Sequence, residues 1–346
     1  MPSSEKLRVA VIGVGAFGRN HARVYHDLAK ENAVEFVGVV DSNPAHAAQI
    51  AGEFGTQTFG SINELLQRSK PQAASVAVPT QAHLQVVREL MQNGVDVLIE
   101  KPVAGTLADA DEMLALAQQH SRIAQVGQLE RFNPAVRATV PLITKPMFFE
   151  VHRLSVFTPR SLDVDVVLDL MIHDIDVVLS FVKSPVKEIR AVGLPILSAK
   201  VDIANVRMEF ESGCVANFTA SRVSTERIRK LRFFQPQQYI SLDYTRQDVV
   251  AFTVSGDGSP SVVSSLLAGM DEEQDHPSSP QIKITKPEVV REEPLRTELC
   301  SFLDSVRTRS APVVSLEDGR RALAVALEIL EVIREHSRNV KLDKLL

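Results

Sequence analysis

The stretch Arg8-Val9-Ala10-Val11-Ile12-Gly13-Val14-Gly15-Ala16-Phe17-Gly18 decides the fold. An apolar strand leads straight into G-x-G-x-x-G, and a helix-forming stretch follows. That order is the phosphate cradle of a dinucleotide-binding β-α-β unit. Gly13 permits the tight turn, Gly15 lets the backbone approach a pyrophosphate, and Gly18 lets helix and strand pack closely. Ala16, Phe17 and Gly18 open the helix, whose free amides and partial positive charge suit an anion. The glycines alone are a weak signal. Asp41 strengthens it, because it ends the next apolar run, Glu35–Val40, 23 residues beyond Gly18. A carboxylate there accepts hydrogen bonds from an adenine ribose and repels a 2′-phosphate. NAD is therefore the expected cofactor and NADP the less favoured one. Ser42 and Asn43 follow with no adjacent arginine. A glycine turn that binds nothing is the competing reading; strand, helix and acid in register weigh against it.

Outward from this turn, short apolar runs recur at Ser75–Val78 and Val95–Ile99, of the kind a parallel sheet covered on both faces requires. Helical patterns separate them. Ser61 and Glu64 read as a capping box. Gln81–Asn93 carries Leu84, Val87 and Met91 on one stripe and stops at Gly94. Thr106 can cap the next helix. Alternation of this kind predicts an α/β doubly wound parallel sheet. After about residue 145 the pattern becomes α+β. Val201–Phe210 and Cys214–Val223 read as a hairpin around Ser212-Gly213, with Ala204, Val206, Met208 and Phe210 on one face and Asn205, Arg207 and Glu209 on the other. Val164–Val182 reads as one helix, and Leu316–Glu335 as a long amphipathic helix able to pack back on the first domain. The expected division is residues 1–125 for the dinucleotide and 126–346 for substrate and oligomerisation. Residues 269–281, acidic and rich in Ser and Pro, read as a loop.

Composition bounds the function. A length of 346 residues suits two domains at roughly 150 residues each. With 45% hydrophobic residues the chain can build sizeable cores. A net charge of -5 argues against a general nucleic-acid binder. No apolar run approaches the ~20 residues of a membrane-spanning helix, so no membrane partner is expected. Val9–Phe17 is too glycine-rich for a signal segment, and the chain reads as cytoplasmic. Cys214 and Cys300 are the only cysteines, which excludes a disulfide framework or cysteine zinc site.

Two further constellations carry chemistry. Glu100-Lys101-Pro102 ends the run Val95–Ile99, at the strand edge where doubly wound sheets bind ligands. Proline excludes the α region for the residue before it, so Lys101 is presented on an extended stub. A solvated lysine after a strand is the alternative. In Asp169-x3-His173-x2-Asp176, the i, i+4, i+7 spacing puts three groups on one helix face, with Asp165 extending the stripe. A solvated acidic face, a histidine tuned by a carboxylate and a carboxylate–imidazole metal site all fit that spacing. No other strong ligand cluster accompanies it, so no metal is expected.

Gly13–Gly18, Pro79-Thr80-Gln81-Ala82-His83, Glu100-Lys101-Pro102 and Asp169-x3-His173-x2-Asp176, in that order, resemble the glucose–fructose oxidoreductase / inositol dehydrogenase (Gfo/Idh/MocA) family. The resemblance spans nearly the whole chain, and the Glu-Lys-Pro element is its most specific part. It implies an N-terminal Rossmann domain, a C-terminal α+β domain with an open, mostly antiparallel sheet, and a nicotinamide cofactor. By carry-over, Gly13, Gly15, Ala16, Phe17, Gly18, Asp41, Ser42, Pro79, Thr80, His83, Glu100 and Lys101 hold the cofactor. Lys101, Asp169 and His173 form the catalytic set, and with Arg131 and Asn133 they face substrate. Met171 departs from the pattern, standing where many members have glycine. Residues Val126–Pro134 and Leu168–Asp176 are most similar to the branch acting on UDP-N-acetylated sugars. That similarity implies oxidation of a ring hydroxyl, at C3 of UDP-N-acetylglucosamine, by NAD. Arg153, Arg160, Arg222 and Arg227 are candidates for the diphosphate. A dehydrogenase of a free polyol and a non-catalytic NAD-binding sensor are the alternatives. The base is left open between Lys101 and His173. The family resemblance also implies a homo-oligomer, dimer or tetramer, formed through one face of the second sheet.

Overall fold

Leu7–Ile12 (β1) alternates its side chains between two apolar clusters. Leu7, Val9 and Val11 enter one, Ala10 and Ile12 the other. A strand buried on both faces must sit inside a sheet covered on both sides. The computed structural model, which describes residues 6–158, 164–255 and 281–340, has that arrangement. β1 is joined in parallel by Val34–Val40 (β2), Thr58–Phe59 (β3), Ala73–Val76 (β4), Asp96–Glu100 (β5) and Ala124–Gly127 (β6), in the order β3-β2-β1-β4-β5-β6. Ala16–Lys30 (α1) covers one face with Ala22, Tyr25 and Leu28. His83–Gln92 (α4) and Leu107–Gln119 (α5) cover the other with Val87, Leu90, Met91, Ala110 and Met113. Between β2 and β4 lie Pro44–Phe54 (α2) and Ile62–Ser69 (α3).

Several local predictions hold. Ser61 Oγ accepts from Glu64 N at 3.1 Å, while Glu64 reaches back one residue further than expected, to Gly60 N. Thr106 Oγ1 caps Asp109 N. Gly94 has φ +80°, the left-handed stop a helix end favours. Two strands of the parallel sheet were not foreseen, nor were Val186–Leu194 and Gln281–Thr285 of the second sheet. Thr58–Phe59 is only two residues long, and Ala124–Gly127 carries a polar Gln125. β4 begins and ends two residues earlier than the predicted Ser75–Val78. Past it, Val78 leaves the sheet and its carbonyl faces the His83 ring instead.

Contacts divide the chain into two units, and not at a single cut. The first comprises Met1–Asn133, Val167–Val177 and Glu292–Glu331. The second comprises Pro134–Val166, Val178–Arg291 and Val332–Leu346. The returning segments bring Leu299, Phe302 and Leu303, from Pro294–Thr308 (α8), into the cluster around β1, and Leu323, from Leu316–Asn339 (α9), into the other.

The second unit opens with the short helix Pro134–Thr139 (α6) and holds an eight-stranded sheet. In chain order its strands are Phe148–Val156 (β7), Val186–Leu194 (β8), Ile203–Phe210 (β9), Val215–Ser224 (β10), Ile228–Gln235 (β11), Gln238–Asp243 (β12), Asp248–Ser255 (β13) and Gln281–Thr285 (β14). The sheet order is β14-β13-β12-β11-β7-β10-β9-β8, antiparallel except where β7 meets β10. The predicted hairpin is β9–β10, with Ala204, Val206, Met208 and Phe210 buried. The opposite face carries an aromatic row in register. Phe148, Phe234, Tyr239 and Phe252 sit on β7, β11, β12 and β13, with successive ring centroids 5.8, 4.9 and 5.6 Å apart. Among the described residues no helix is long and apolar enough to cross a membrane. Arg160 and most of the predicted loop, 269–280, lie outside the described residues.

Candidate active site

The glycine turn is built as its chemistry requires. Gly13 has φ +83°, and a Cβ there would meet the backbone of Ala77 and Val78 at 2.8 Å. A Cβ on Gly18 would lie 1.8 Å from the Gly13 carbonyl oxygen. Over Gly15 nothing lies within 4 Å, and the first turn of α1 carries no acid. An open space above a helix N-terminus free of negative charge fits a dinucleotide pyrophosphate. Phe17 stands exposed beside it. Asp41 ties the turn to the end of β2, accepting from Val14 N at 2.8 Å through Oδ2 and from Asn43 N at 2.9 Å through Oδ1. A carboxylate has about four acceptor sites, so two remain for ribose hydroxyls. Ser42 is exposed next to it.

Beyond β4, Thr80–Ala82 forms a single 3-10 turn led by Pro79, and His83 opens α4. His83 is buried, with Nδ1 3.1 Å from the Val103 carbonyl and Nε2 3.0 Å from that of Val78. Burial pushes its pKa down, although both carbonyls favour the protonated ring. The ring braces the loops after β4 and β5 against each other, so a cofactor contact from it would displace one of these partners.

β5 ends at Glu100, and Lys101 follows on the cis Lys101–Pro102 bond. Glu100 Oε1 lies 2.8 Å from His21 Nε2, and Oε2 accepts from Lys101 N at 3.3 Å. Gly127, its partner on β6, leaves the room: a Cβ there would meet Glu100 Oε1 at 3.0 Å. Lys101 Nζ donates to the Asp169 carbonyl at 2.6 Å and to Asp169 Oδ1 at 3.3 Å. With only 10% of its side chain exposed, Lys101 is not the solvated lysine of the alternative reading.

The single helix predicted over Val164–Val182 is corrected. Val167–Met171 is a π-helical turn, and an α-helix, α7, follows over Ile172–Phe181. The wider turn re-aims Asp169, so that both its carbonyl and its carboxylate meet Lys101. The predicted stripe is split by it. Asp169 keeps 27% of its side chain exposed and His173 is half-buried, whereas Asp176 keeps 2%. Asp165 faces elsewhere, accepting from Val201 N. Met171 is buried at the end of the π turn.

Other expected site residues have internal partners. Arg131 NH2 donates to the Val313 carbonyl at 3.3 Å, and NH1 lies 3.6 Å from Asp176 Oδ2. Asn133 is buried and donates to Glu130 Oε2. Arg222 is buried against Asp202 and the Val164 carbonyl. Arg153 is buried over the Tyr244 ring, and Arg227 is exposed. Among the described residues no three His, Cys, Asp or Glu side chains are grouped as metal ligands.

Sequence reasoning passed over His21 and Glu298. Both are polar residues inside apolar stripes, His21 beside Ala22, Val24 and Tyr25, and Glu298 beside Leu299, Phe302 and Val306. That interruption of a stripe was the available signal.

Asp176 is a buried acid with an imperfect partner. Burial pushes its carboxyl up to about 7, against the pull of Arg131. At 3.6 Å the guanidinium makes no hydrogen bond, so its attraction does not offset desolvation. A folded-state pKa above the unfolded one gives stability that is present at acid pH and lost as pH rises toward 7. Relative to Asp176→Asn, the wild type is expected to lose about 1.4 kcal/mol per pH unit between about 4 and 7. Paired urea titrations of both proteins across that window check this, and parallel curves would refute it.

The comparisons with known proteins agree with this geometry. Residues 7–128 match a family model described as an oxidoreductase family with an NAD-binding Rossmann fold. Residues 147–237 match the C-terminal domain model of the same family. The chain belongs to the Gfo/Idh/MocA oxidoreductase family. Within it, the chain is 32% identical over 324 residues to a UDP-N-acetylglucosamine 3-dehydrogenase of Acidithiobacillus ferrooxidans, covering 93% of this chain and 96% of that one. A solved structure of that enzyme superposes with TM-score 0.83 at 31% identity, over 95% of this chain and 98% of the other. An inositol 2-dehydrogenase of Rubrobacter xylanophilus is 28% identical over 233 residues, covering 64% of this chain and 66% of that one. As a Gfo/Idh/MocA member the chain is an oxidoreductase with a dinucleotide-binding Rossmann unit.

Proposed function

We propose that the protein is an NAD-dependent dehydrogenase that oxidises the C3 hydroxyl of a UDP-N-acetylated hexosamine to a ketone. The observation that carries the dehydrogenase reading is the Lys101 ammonium held against the main-chain carbonyl and Oδ1 of Asp169 at the sheet's ligand edge. Similarity along 93% of the chain to a UDP-N-acetylglucosamine 3-dehydrogenase supports the substrate.

Oxidising a secondary alcohol requires a base for the hydroxyl proton and an acceptor for the hydride. NAD, when bound, supplies the acceptor. Gly13, Gly15 and Gly18 shape the pyrophosphate cradle, with Ala16 and Phe17 opening its helix. Asp41 and Ser42 meet the adenine ribose. Pro79, Thr80 and His83 frame the neighbouring loop, and Glu100 fixes the start of the Lys101 stub. Lys101 hydrogen-bonds the reacting oxygen and stabilises its developing charge. His173 carries an imidazole, the side chain suited to taking a proton near neutral pH. Lys101 is the alternative base. Asp169 anchors the ammonium, and a substrate hydroxyl arriving at Lys101 competes for the same donor. Self-association through the aromatic row of the second sheet, as a dimer or tetramer, belongs to the same reading.

Following NADH formation against a panel of UDP-sugars, free hexoses and inositols tests the reading. UDP-N-acetylglucosamine is expected to give the highest kcat/KM. Turnover of inositol alone would move the assignment to the polyol branch, which the 28% identity to an inositol 2-dehydrogenase supports. Because the ketone can accumulate poorly, an aminotransferase is added to draw the reaction forward.

The Asp41 reading has its own test. Asp41→Asn with Ser42→Arg keeps one acceptor for Val14 N, removes the charge and adds a cation. The ratio of kcat/KM for NADP over NAD is expected to rise by about 100-fold, or about 3 kcal/mol. An unchanged ratio would remove Asp41 from cofactor discrimination.

A further inference from the structure

The glycine turn and the Lys101 stub are joined through one buried contact. His21 lies on α1, six residues past Gly15, or about 9 Å along the helix. It is 0% exposed, and its Nε2 lies 2.8 Å from Glu100 Oε1. Among the described residues, His21 Nδ1 has no hydrogen-bond partner. A proton there would be a stranded donor, so the ring carries its proton on Nε2 and donates to the carboxylate. Glu100 ends β5, and its carboxyl fills the space that glycine leaves at Gly127 on β6. A Cβ at that position would lie 3.0 Å from Oε1 and 3.2 Å from Oε2. Oε2 accepts from Lys101 N at 3.3 Å, long for an amide donor. The shorter contact, to His21, is therefore the one that fixes the carboxyl. Glu298 and His83 act on Glu100 at longer range, without a hydrogen bond to it.

We propose that His21 is a positioning residue, whose Nε2–H holds Glu100 and so sets the Lys101 stub in register with the helix that opens on the pyrophosphate cradle. The inference rests on the reading of Lys101 as a catalytic group and of the glycine turn as a dinucleotide site. One rigid helix then holds the cradle at its N-terminus and Glu100 less than two turns further on. Lys101 follows Glu100 directly, so a shift of that carboxyl passes into the backbone from which the ammonium reaches. Asp169 restrains only the far end of the side chain. Without the His21 donor, a buried carboxylate must turn toward water or take up a proton. The first removes the acceptor from Lys101 N and the second weakens it. His21 touches neither substrate nor cofactor in this arrangement. Its effect passes through Glu100.

Three substitutions separate the donor from the ring. His21→Gln carries an amide N–H to the Nε2 position, His21→Asn carries it only as far as Nδ1, and His21→Leu has no donor. Single-turnover NADH formation excludes product release. Its rate is expected to fall about 10- to 100-fold in His21→Leu and His21→Asn, the scale of a misplacement of about 1 Å. His21→Gln is expected to recover most of that loss. Sugar KM and NADH Kd are expected to stay within about a few-fold in all three, since the cradle is untouched. On a Glu100→Gln background, His21→Leu is expected to cost less than about twofold more. Equal losses in His21→Gln and His21→Leu would overturn the proposal, as would wild-type rates in all three. So would losses that multiply in the double variant, or an NADH affinity that falls in step with the rate. Nuclear magnetic resonance of wild type labelled with 15N at histidine gives a measure independent of turnover and of any variant's folding. The His21 ring, assigned through its own backbone, is expected to show a slowly exchanging proton on Nε2 and none on Nδ1. A ring protonated on Nδ1 alone refutes the donated bond. Wild type that turns over no sugar in the panel would instead count against the proposed function, and the resonance result would still decide the His21 contact.

Discussion

Lys101→Ala is expected to lower kcat by about 10² to 10⁴, the range set by losing a general base or a charge aimed at an oxyanion. NADH affinity, read by fluorescence titration, is expected to stay within a few-fold, because the glycine turn and Asp41 are untouched. Asp169 retains 27% side-chain exposure, so losing the ammonium leaves its carboxylate within reach of water rather than stranded. The fold should therefore survive. Lys101→Arg separates the two possible roles. A guanidinium keeps the positive charge but cannot surrender a proton at ordinary pH. Residual turnover in Lys101→Arg that is absent in Lys101→Ala would place the base on His173. Equal and complete loss in both would favour Lys101 itself. Wild-type turnover in Lys101→Ala would remove the residue from the chemistry.

The second large effect is at Gly18. A methyl group there would sit 1.8 Å from the Gly13 carbonyl oxygen and 2.8 Å from its carbon. Both contacts are backbone, so helix and turn must separate. The expected loss is about 3 kcal/mol of stability, the upper end for overpacking. Shifting the cradle by about an ångström should also weaken NADH by about 100-fold. Gly15→Ala is the informative partner. Its Cβ meets nothing within 4 Å, so stability should hold while NADH affinity falls, because the methyl enters the space the pyrophosphate needs. Thermal melts and titrations on both variants distinguish a turn needed for packing from a space needed for ligand. If Gly15→Ala binds NADH as well as wild type, the cradle reading fails.

Much of this architecture was legible because backbone chemistry imposes it. Gly13 and Gly18 sit where any Cβ meets main-chain atoms, and such sites announce themselves as glycine in a fixed spacing. Buried strands such as Val9–Ile12 read as unbroken apolar runs, and β9 and β10 as alternating ones. The π turn was not legible. Val167-Leu168-Asp169-Leu170-Met171 has the same apolar spacing in an α- or a π-helix, and the widened turn is decided by what Asp169 meets. Nor could the chain report where a long side chain ends. Arg131 follows β6 near the ligand edge, yet its guanidinium runs to Val313 and Asp176. A solvated face was one of the three readings of the stripe that holds Asp176, because acids usually are solvated. Its burial depends on Arg131 and on α7 turning that face inward, which are tertiary facts.

The division of the chain has a consequence for synthesis. The first unit is assembled from Met1–Asn133, Val167–Val177 and Glu292–Glu331. A ribosome that has made only the first 133 residues has produced every strand of the parallel sheet but neither Leu299, Phe302 and Leu303 for one face nor Val314, Leu316 and Leu323 for the other. Domains generally fold as they emerge, N-terminal first. Here the nascent sheet must wait, partly uncovered, until almost the last helix has left the exit tunnel, and Lys101 has no Asp169 to meet until the second segment arrives. The parallel sheet is thus translated long before the segments that complete its cover.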